Sequence, residues 1–265
     1  METITYHGSD GCPLFAAILG SGPPLVLMHG GGPDHHSLLP LARQLTDRHT
    51  VVLPDVRGYG RSVCTDPARH TWTRYADDVT ALLDHLGEQR AVVGGTGLGA
   101  TITQRTCLEH PSRARAAILI SVEDIEDDEA KRAEIAFMDA FAARVRTEGV
   151  EAAWAPILPH LAPVIGALVR DAIPRSDPAS VAAAAAIGRD RSFRSVDDLA
   201  AITTPTLIFP GMDQRHPTAL AENAARIMPD GHLAPVSLSS TLRTAEDLAE
   251  AFAPAIRRFL ANQGL

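Results

Sequence analysis

A chain of 265 residues, 45% hydrophobic and 21% charged, has the composition of an ordinary soluble protein with room for one large α/β core. Its formal net charge of −8 excludes a surface built to grip nucleic acid, which needs clustered Lys and Arg. No apolar run approaches the roughly 20 residues of a membrane span, and the opening Met1–His7 segment lacks the basic and apolar regions of a secretory leader.

In chain order, two short strands are predicted near 2–7 and 13–19, separated by the turn Gly8-Ser-Asp-Gly11. The apolar run 24–29 ends in Gly30-Gly-Gly32 and suits a strand buried on both faces. A helix over 36–45, a strand over 50–55 and the loop Arg57–Ser62 follow. Apolar residues at 79, 82, 83 and 86 mark an amphipathic helix over 75–86. Strand 91–95 turns sharply into helix 98–109, and strand 116–121 comes next. The rhythm then changes to Ala-rich helical patterns at 127–147, 151–158, 163–172 and 179–187. Alternation resumes with strand 205–209, helix 218–228, strand 232–237 and helix 244–261. This order predicts an α/β fold: a mostly parallel sheet of about eight strands, helices on both faces, and an inserted helical cap. Residues 1–122 and 199–265 would form the core and 123–198 the cap.

The three cysteines, Cys12, Cys64 and Cys107, are odd in number and lack metal-like spacing; they read as reduced thiols in a cytoplasmic protein. The Gly30–Gly32 run has neither dinucleotide-binding spacing nor the Lys-Ser/Thr ending of a phosphate loop, so no nucleotide is expected. No metal or other cofactor is expected either. The acidic stretch Glu123–Glu129 reads as a solvated entry to the cap, with negative charge near a helix N-terminus.

Gly95-Thr-Gly-Leu-Gly99 has the frame of a G-x-S-x-G nucleophile elbow, in which a central Ser presents its hydroxyl above an α/β sheet. The central residue here is Gly97, which carries no side chain. With His29-Gly-Gly-Gly-Pro33, Asp55–Ser62 and Phe209–Asp213 in the expected order, the chain resembles the α/β-hydrolase superfamily, in its capped, esterase- and epoxide-hydrolase-like form. The resemblance covers nearly all of the chain outside the cap. Leu98–Gln104 also resembles the elbow helix of capped esterases that trim aromatic polyketide esters.

The resemblance implies a triad of Ser, acid and His in chain order. The Ser position falls on Gly97 and the acid position on Asp213. The His should follow the last strand, but the loop Leu238–Arg243 has none, and His232 comes too early. Two triad members are therefore expected to be missing, and their joint absence argues for natural divergence. Serine hydrolysis is then improbable.

Main-chain donors survive the loss of a side chain. The amides of Leu98 and of Gly31 or Gly32 would form an oxyanion hole. Asp213, His216 and His35 are the acid–base candidates. Gly97, Thr96, Asp34 and Ser239 are candidates for substrate contact. Each has a bland alternative: His216-Pro217 opening a helix, Asp34 capping helix 36–45, Thr96 bonding only to the turn. The expected function is a cofactor-independent, non-hydrolytic enzyme of natural-product (antibiotic, polyketide-like) biosynthesis. It would polarise a carbonyl for C–C bond formation, cyclisation or rearrangement of a bulky, polycyclic small molecule. The alternatives are a hydrolase using an activated water and a non-catalytic binding protein on a hydrolase scaffold. A monomer or homodimer is expected, with no nucleic-acid or membrane partner.

Overall fold

A computed structural model describes residues 1–123, 125 and 127–265. Eight strands run β1 (Glu2–His7), β2 (Pro13–Gly20), β3 (Pro24–Met28), β4 (Thr50–Pro54), β5 (Ala91–Thr96), β6 (Ala114–Ile120), β7 (Thr206–Phe209) and β8 (Gly231–Leu233). They form one sheet in the order β1-β2-β4-β3-β5-β6-β7-β8. β2 pairs antiparallel with both β1 and β4, and the other five pairings are parallel. The central strands β3 and β5 are buried along their whole length, as their continuous apolar sequences demand.

Helices α1 (Leu39–Arg43), α2 (Trp72–His85), α3 (Leu98–Glu109), α4 (Asp128–Glu148), α5 (Val150–Trp154), α6 (Pro163–Ala172), α7 (Pro178–Ala184), α8 (Thr218–Ile227) and α9 (Ala245–Asn262) complete the architecture. α1 and α9 pack on one face of the sheet, where Phe209 stacks on Phe252 with ring centroids 4.5 Å apart. α2, α3 and α8 cover the other face. Helices α4–α7 occupy the stretch between β6 and β7 and have a buried apolar cluster of their own.

Several expected elements are shorter. The strand expected at 232–237 ends at Leu233: one more bond runs from Ala234 N–H to Ile208 O, and then Pro235 withholds a donor. The helix expected at 36–45 is a 3-10 turn, His35–Leu38, followed by α1. The one expected at 151–158 stops at Trp154, just before Pro156. The one expected at 179–187 runs as α7 to Ala184 and tightens to 3-10 geometry through Arg189. Asp124 and Glu126 of the acidic stretch lie outside the described residues.

Candidate active site

The carboxyl ends of β3, β5, β6 and β7 deliver four chain segments to one edge of the sheet, the edge where open α/β folds place their ligands. After β3 comes the Gly30–Pro33 loop, after β5 Gly97, after β6 Ser121, and after β7 the loop that carries Asp213 and His216. Residues from all of them except Asp213 line a cavity of about 170 Å³, roofed by α4–α7. The roof is apolar: Phe137, Phe141, Trp154, Ile165 and Leu168 face the site.

The elbow is built as its glycines require. Gly97 has φ +48° and ψ −112°, a backbone state that a side chain resists. Helix α3 leaves the turn so tightly that a Cβ on Gly95 would stand 2.5 Å from the Gly99 carbonyl carbon, and one on Gly99 would stand 2.4 Å from Met28 O. The helix opens at Leu98, so the Leu98 amide belongs to the unpaired first turn and lines the cavity. Gly31 also lines it. Gly32, the other expected hole residue, is not on the cavity wall. At φ +100° it lies under the roof, where a Cβ would meet Trp154 at 2.7 Å.

The expectation of a missing imidazole is corrected here. His216 Nδ1 lies 2.8 Å from Asp213 Oδ1, and the same oxygen accepts the His216 backbone N–H at 2.9 Å. A carboxylate can only accept, so Nδ1 is the donor, and Nε2 is the ring nitrogen left free of that bond. Nε2 in turn lies 3.3 Å from the point that a Cβ on Gly97 would occupy. An imidazole is thus poised over residue 97, carried by the loop after β7 and not by the loop after β8. Imidazole and nucleophile have therefore not vanished together: only the side chain at residue 97 is missing. Burial works to raise the Asp213 carboxyl, but the bonds and charge of the His216 ring, with the backbone donors of His216 and Arg215, hold it below the ordinary carboxylate range. Pro217 does form the N-cap of α8, as the bland reading had it, while the His216 side chain turns into the cavity.

Three other sequence candidates sit elsewhere. His35 is buried away from the cavity wall; its backbone N–H and Nδ1 both bond Asp55 Oδ1 at 2.8 Å. Asp34 caps the 3-10 turn through His36 N and pairs with Arg175 at 2.6 Å, which ties the loop after β3 to the segment following α6. Ser239 shares a 2.7 Å hydrogen bond with Thr241, outside the cavity. The Asp34, His35 and His36 side chains bring potential ligand atoms within 4.8 Å of one another, but Arg175 and Asp55 already engage the first two. His29 is structural: its ring bonds Gly30 O and Val56 N, and burial pushes its pKa down.

Thr96 lines the cavity as expected, and two groups missed in the sequence join it: Tyr59 and Ser121. Among the described residues none of these three hydroxyls has a hydrogen-bond partner, although all three residues are buried. Burial pushes the Tyr59 phenol well above its ordinary range, with the Glu123 charge adding to the effect, so it stays a neutral donor. The signal available in sequence was position: Ser121 ends a strand, and strand ends at this edge face the ligand. Beside the main cavity lies a smaller one of about 70 Å³, where Arg215 makes two bonds, of 2.8 and 2.9 Å, to Glu134 of α4.

The chain matches a family model described as the alpha/beta hydrolase family over residues 25–251. It is 30% identical over 145 residues to a Bacillus subtilis protein named uncharacterized hydrolase YraK, covering 53% of each chain. It is 31% identical over 147 residues to epoxide hydrolase 3 of Siraitia grosvenorii, covering 53% of this chain and 44% of that one. The chain spans about half the length of the curated relatives it matches. A solved thermophilic esterase from Thermogutta terrifontis superposes with a TM-score of 0.83 at 26% identity, covering 100% of both chains. No helix among the described residues is long and apolar enough to cross a membrane. The sheet order, the glycine elbow and a family match across most of the length agree: the chain belongs to the alpha/beta hydrolase family.

Proposed function

We propose that this protein is a cofactor-independent enzyme whose working base is the His216–Asp213 dyad, acting on the substrate itself because residue 97 offers no nucleophile. The observation that carries this reading is the 3.3 Å separation between His216 Nε2 and the missing Cβ position of Gly97. In a serine enzyme that space would hold the attacking group. Here it is open to an atom of the substrate.

The proposed reaction begins at a C–H bond next to a carbonyl. His216 Nε2 takes the proton, and the C–H electron pair moves onto the carbonyl oxygen. The amides of Leu98 and Gly31 hold that developing oxyanion. The enolate carbon then attacks a second carbonyl of the same molecule, and protonated His216 returns its proton to the new alkoxide. The sum is an isomerisation by ring closure, with no net electron transfer. Asp213 keeps the ring in the tautomer that presents Nε2. General-base catalysis of this kind contributes roughly 10²–10⁴-fold. The aromatic and aliphatic roof supports a bulky, ring-bearing substrate of polyketide type, and a place in natural-product biosynthesis is part of this proposal.

A second reading has a specific observation in its favour. The same space beside Nε2 fits a water oxygen, and relatives carry the names hydrolase and epoxide hydrolase. His216 would then activate water for hydrolysis. Turnover of aryl ketones and aryl esters in H₂¹⁸O and in D₂O separates the two. Deuterium entering the carbon next to the carbonyl, dependent on His216, supports proton abstraction. ¹⁸O in an acid product without deuterium wash-in supports hydrolysis and overturns the first reading.

A further inference from the structure

We propose that Ser121 is a substrate-contacting residue that makes this site select a 1,3-dicarbonyl, or its enol, over a simple ketone. Ser121 is the one non-glycine among the described residues with positive φ, at +61°. Side chains are disfavoured there and glycine is not. The residue is 3% exposed, yet its hydroxyl has no hydrogen-bond partner among the described residues and it lines the cavity. The hydroxyl, unpartnered among these residues, is open to whatever fills the cavity, so a ligand oxygen entering there could take the donor at no loss of an internal bond.

The position suits that task. Ser121 follows β6, whose Ile120 pairs with Thr96 of β5, so Ser121 and Gly97 stand side by side at the sheet edge. Across from it, Gly211 leaves the gap: a Cβ there would lie 2.9 Å from Ser121 Oγ and 2.5 Å from His216 Cβ. The hydroxyl therefore flanks the loop that carries the base. This inference rests on the reading of His216 as a general base and adds a substrate class to it. Imidazole is a weak base, and a C–H between two carbonyls is far more acidic than one beside a single carbonyl. One oxygen of such a group would take the Leu98 and Gly31 amides, and the second needs a donor of its own. Ser121 supplies it, donating its O–H to that oxygen while the proton of the central carbon passes to His216 Nε2.

The test uses the whole protein with 1-phenylbutane-1,3-dione and, as the matched monoketone, 1-phenylbutan-1-one. Wild type should bind the diketone more tightly, and its bound form should show the red-shifted enolate absorbance. Ser121→Ala and Ser121→Gly should each weaken diketone binding by about fivefold, the worth of one neutral hydrogen bond, and leave the monoketone unchanged. Ser121→Gly should melt no lower than wild type, which separates lost recognition from misfolding. A wild type with no preference for the diketone, or variants that keep it, overturns the proposal. His216→Ala should abolish the enolate absorbance while preserving the Ser121-dependent preference. If the absorbance persists in that variant, the base assignment fails and the Ser121 assignment stands.

Discussion

His216 Nε2 and Gly97 face each other across a gap of one missing side chain: 3.3 Å separates the ring nitrogen from the point where a Cβ would begin. A carboxylate–imidazole pair and the glycine elbow stand together, and residue 97 has no side chain between them.

Restoring that atom is the sharpest test. Gly97→Ser should complete a Ser–His–Asp triad and create esterase activity toward p-nitrophenyl butyrate, with a pre-steady-state burst and labelling by a fluorophosphonate. The φ of +48° should make the variant less stable by about 1–2 kcal/mol. A folded variant that neither bursts nor labels would show that the imidazole is misaligned.

Breaking the dyad should separate chemistry from binding. His216→Ala and Asp213→Asn should each slow proton transfer by roughly 10²–10⁴-fold, the latter because an amide no longer enforces the tautomer. Ligand affinity measured by calorimetry should change little in either case.

The buried Arg57 should prove structural. Its guanidinium is held by Asp78 at 2.6 and 2.8 Å and by Asp10 at 2.8 and 3.0 Å. Replacing it by Ala leaves two carboxylates without their cation, a loss of about 3–5 kcal/mol in urea unfolding. A drop below 1 kcal/mol would contradict this.

Acid should destabilise the fold through His70. Its Nδ1 accepts from the Tyr75 hydroxyl and its Nε2 donates to Cys64 O. Burial, with the nearby Arg57 charge, lowers its pKa from 6.5 to about 4. Between those values the unfolded chain binds a proton that the native chain does not. The His70 contribution is therefore full above pH 6.5 and falls as the pH drops toward 4, by about 3 kcal/mol over the window, while Asp78, whose burial raises its pKa to about 6, works in the opposite direction. The difference in urea midpoints between wild type and His70→Gln should follow the His70 slope across this range.

The strength of the sheet and elbow signals in the sequence has a physical basis. Short apolar runs such as 24–28, bounded by glycines, suit central strands, and the Gly95/Gly99 spacing is needed for helix and strand to touch. Side-chain destinations were less legible because they depend on partners far along the chain. His35 is a fair candidate in sequence, but Asp55, 20 residues away, holds its backbone N–H and its Nδ1. Asp34 is claimed by Arg175 across 141 residues. His216 was named from its neighbourhood to Asp213, but its aim at residue 97 follows from a turn in which one carboxylate oxygen holds both backbone and ring. Ser121 gave no sign beyond its place at a strand end.

The spacing of Asp213 and His216 has an architectural consequence. Here both members ride on four consecutive residues, tethered to α4 through Arg215 and Glu134. Carboxylate and imidazole therefore move as one unit, and under the proposed reading the loop at 238–243 contributes neither member of the pair.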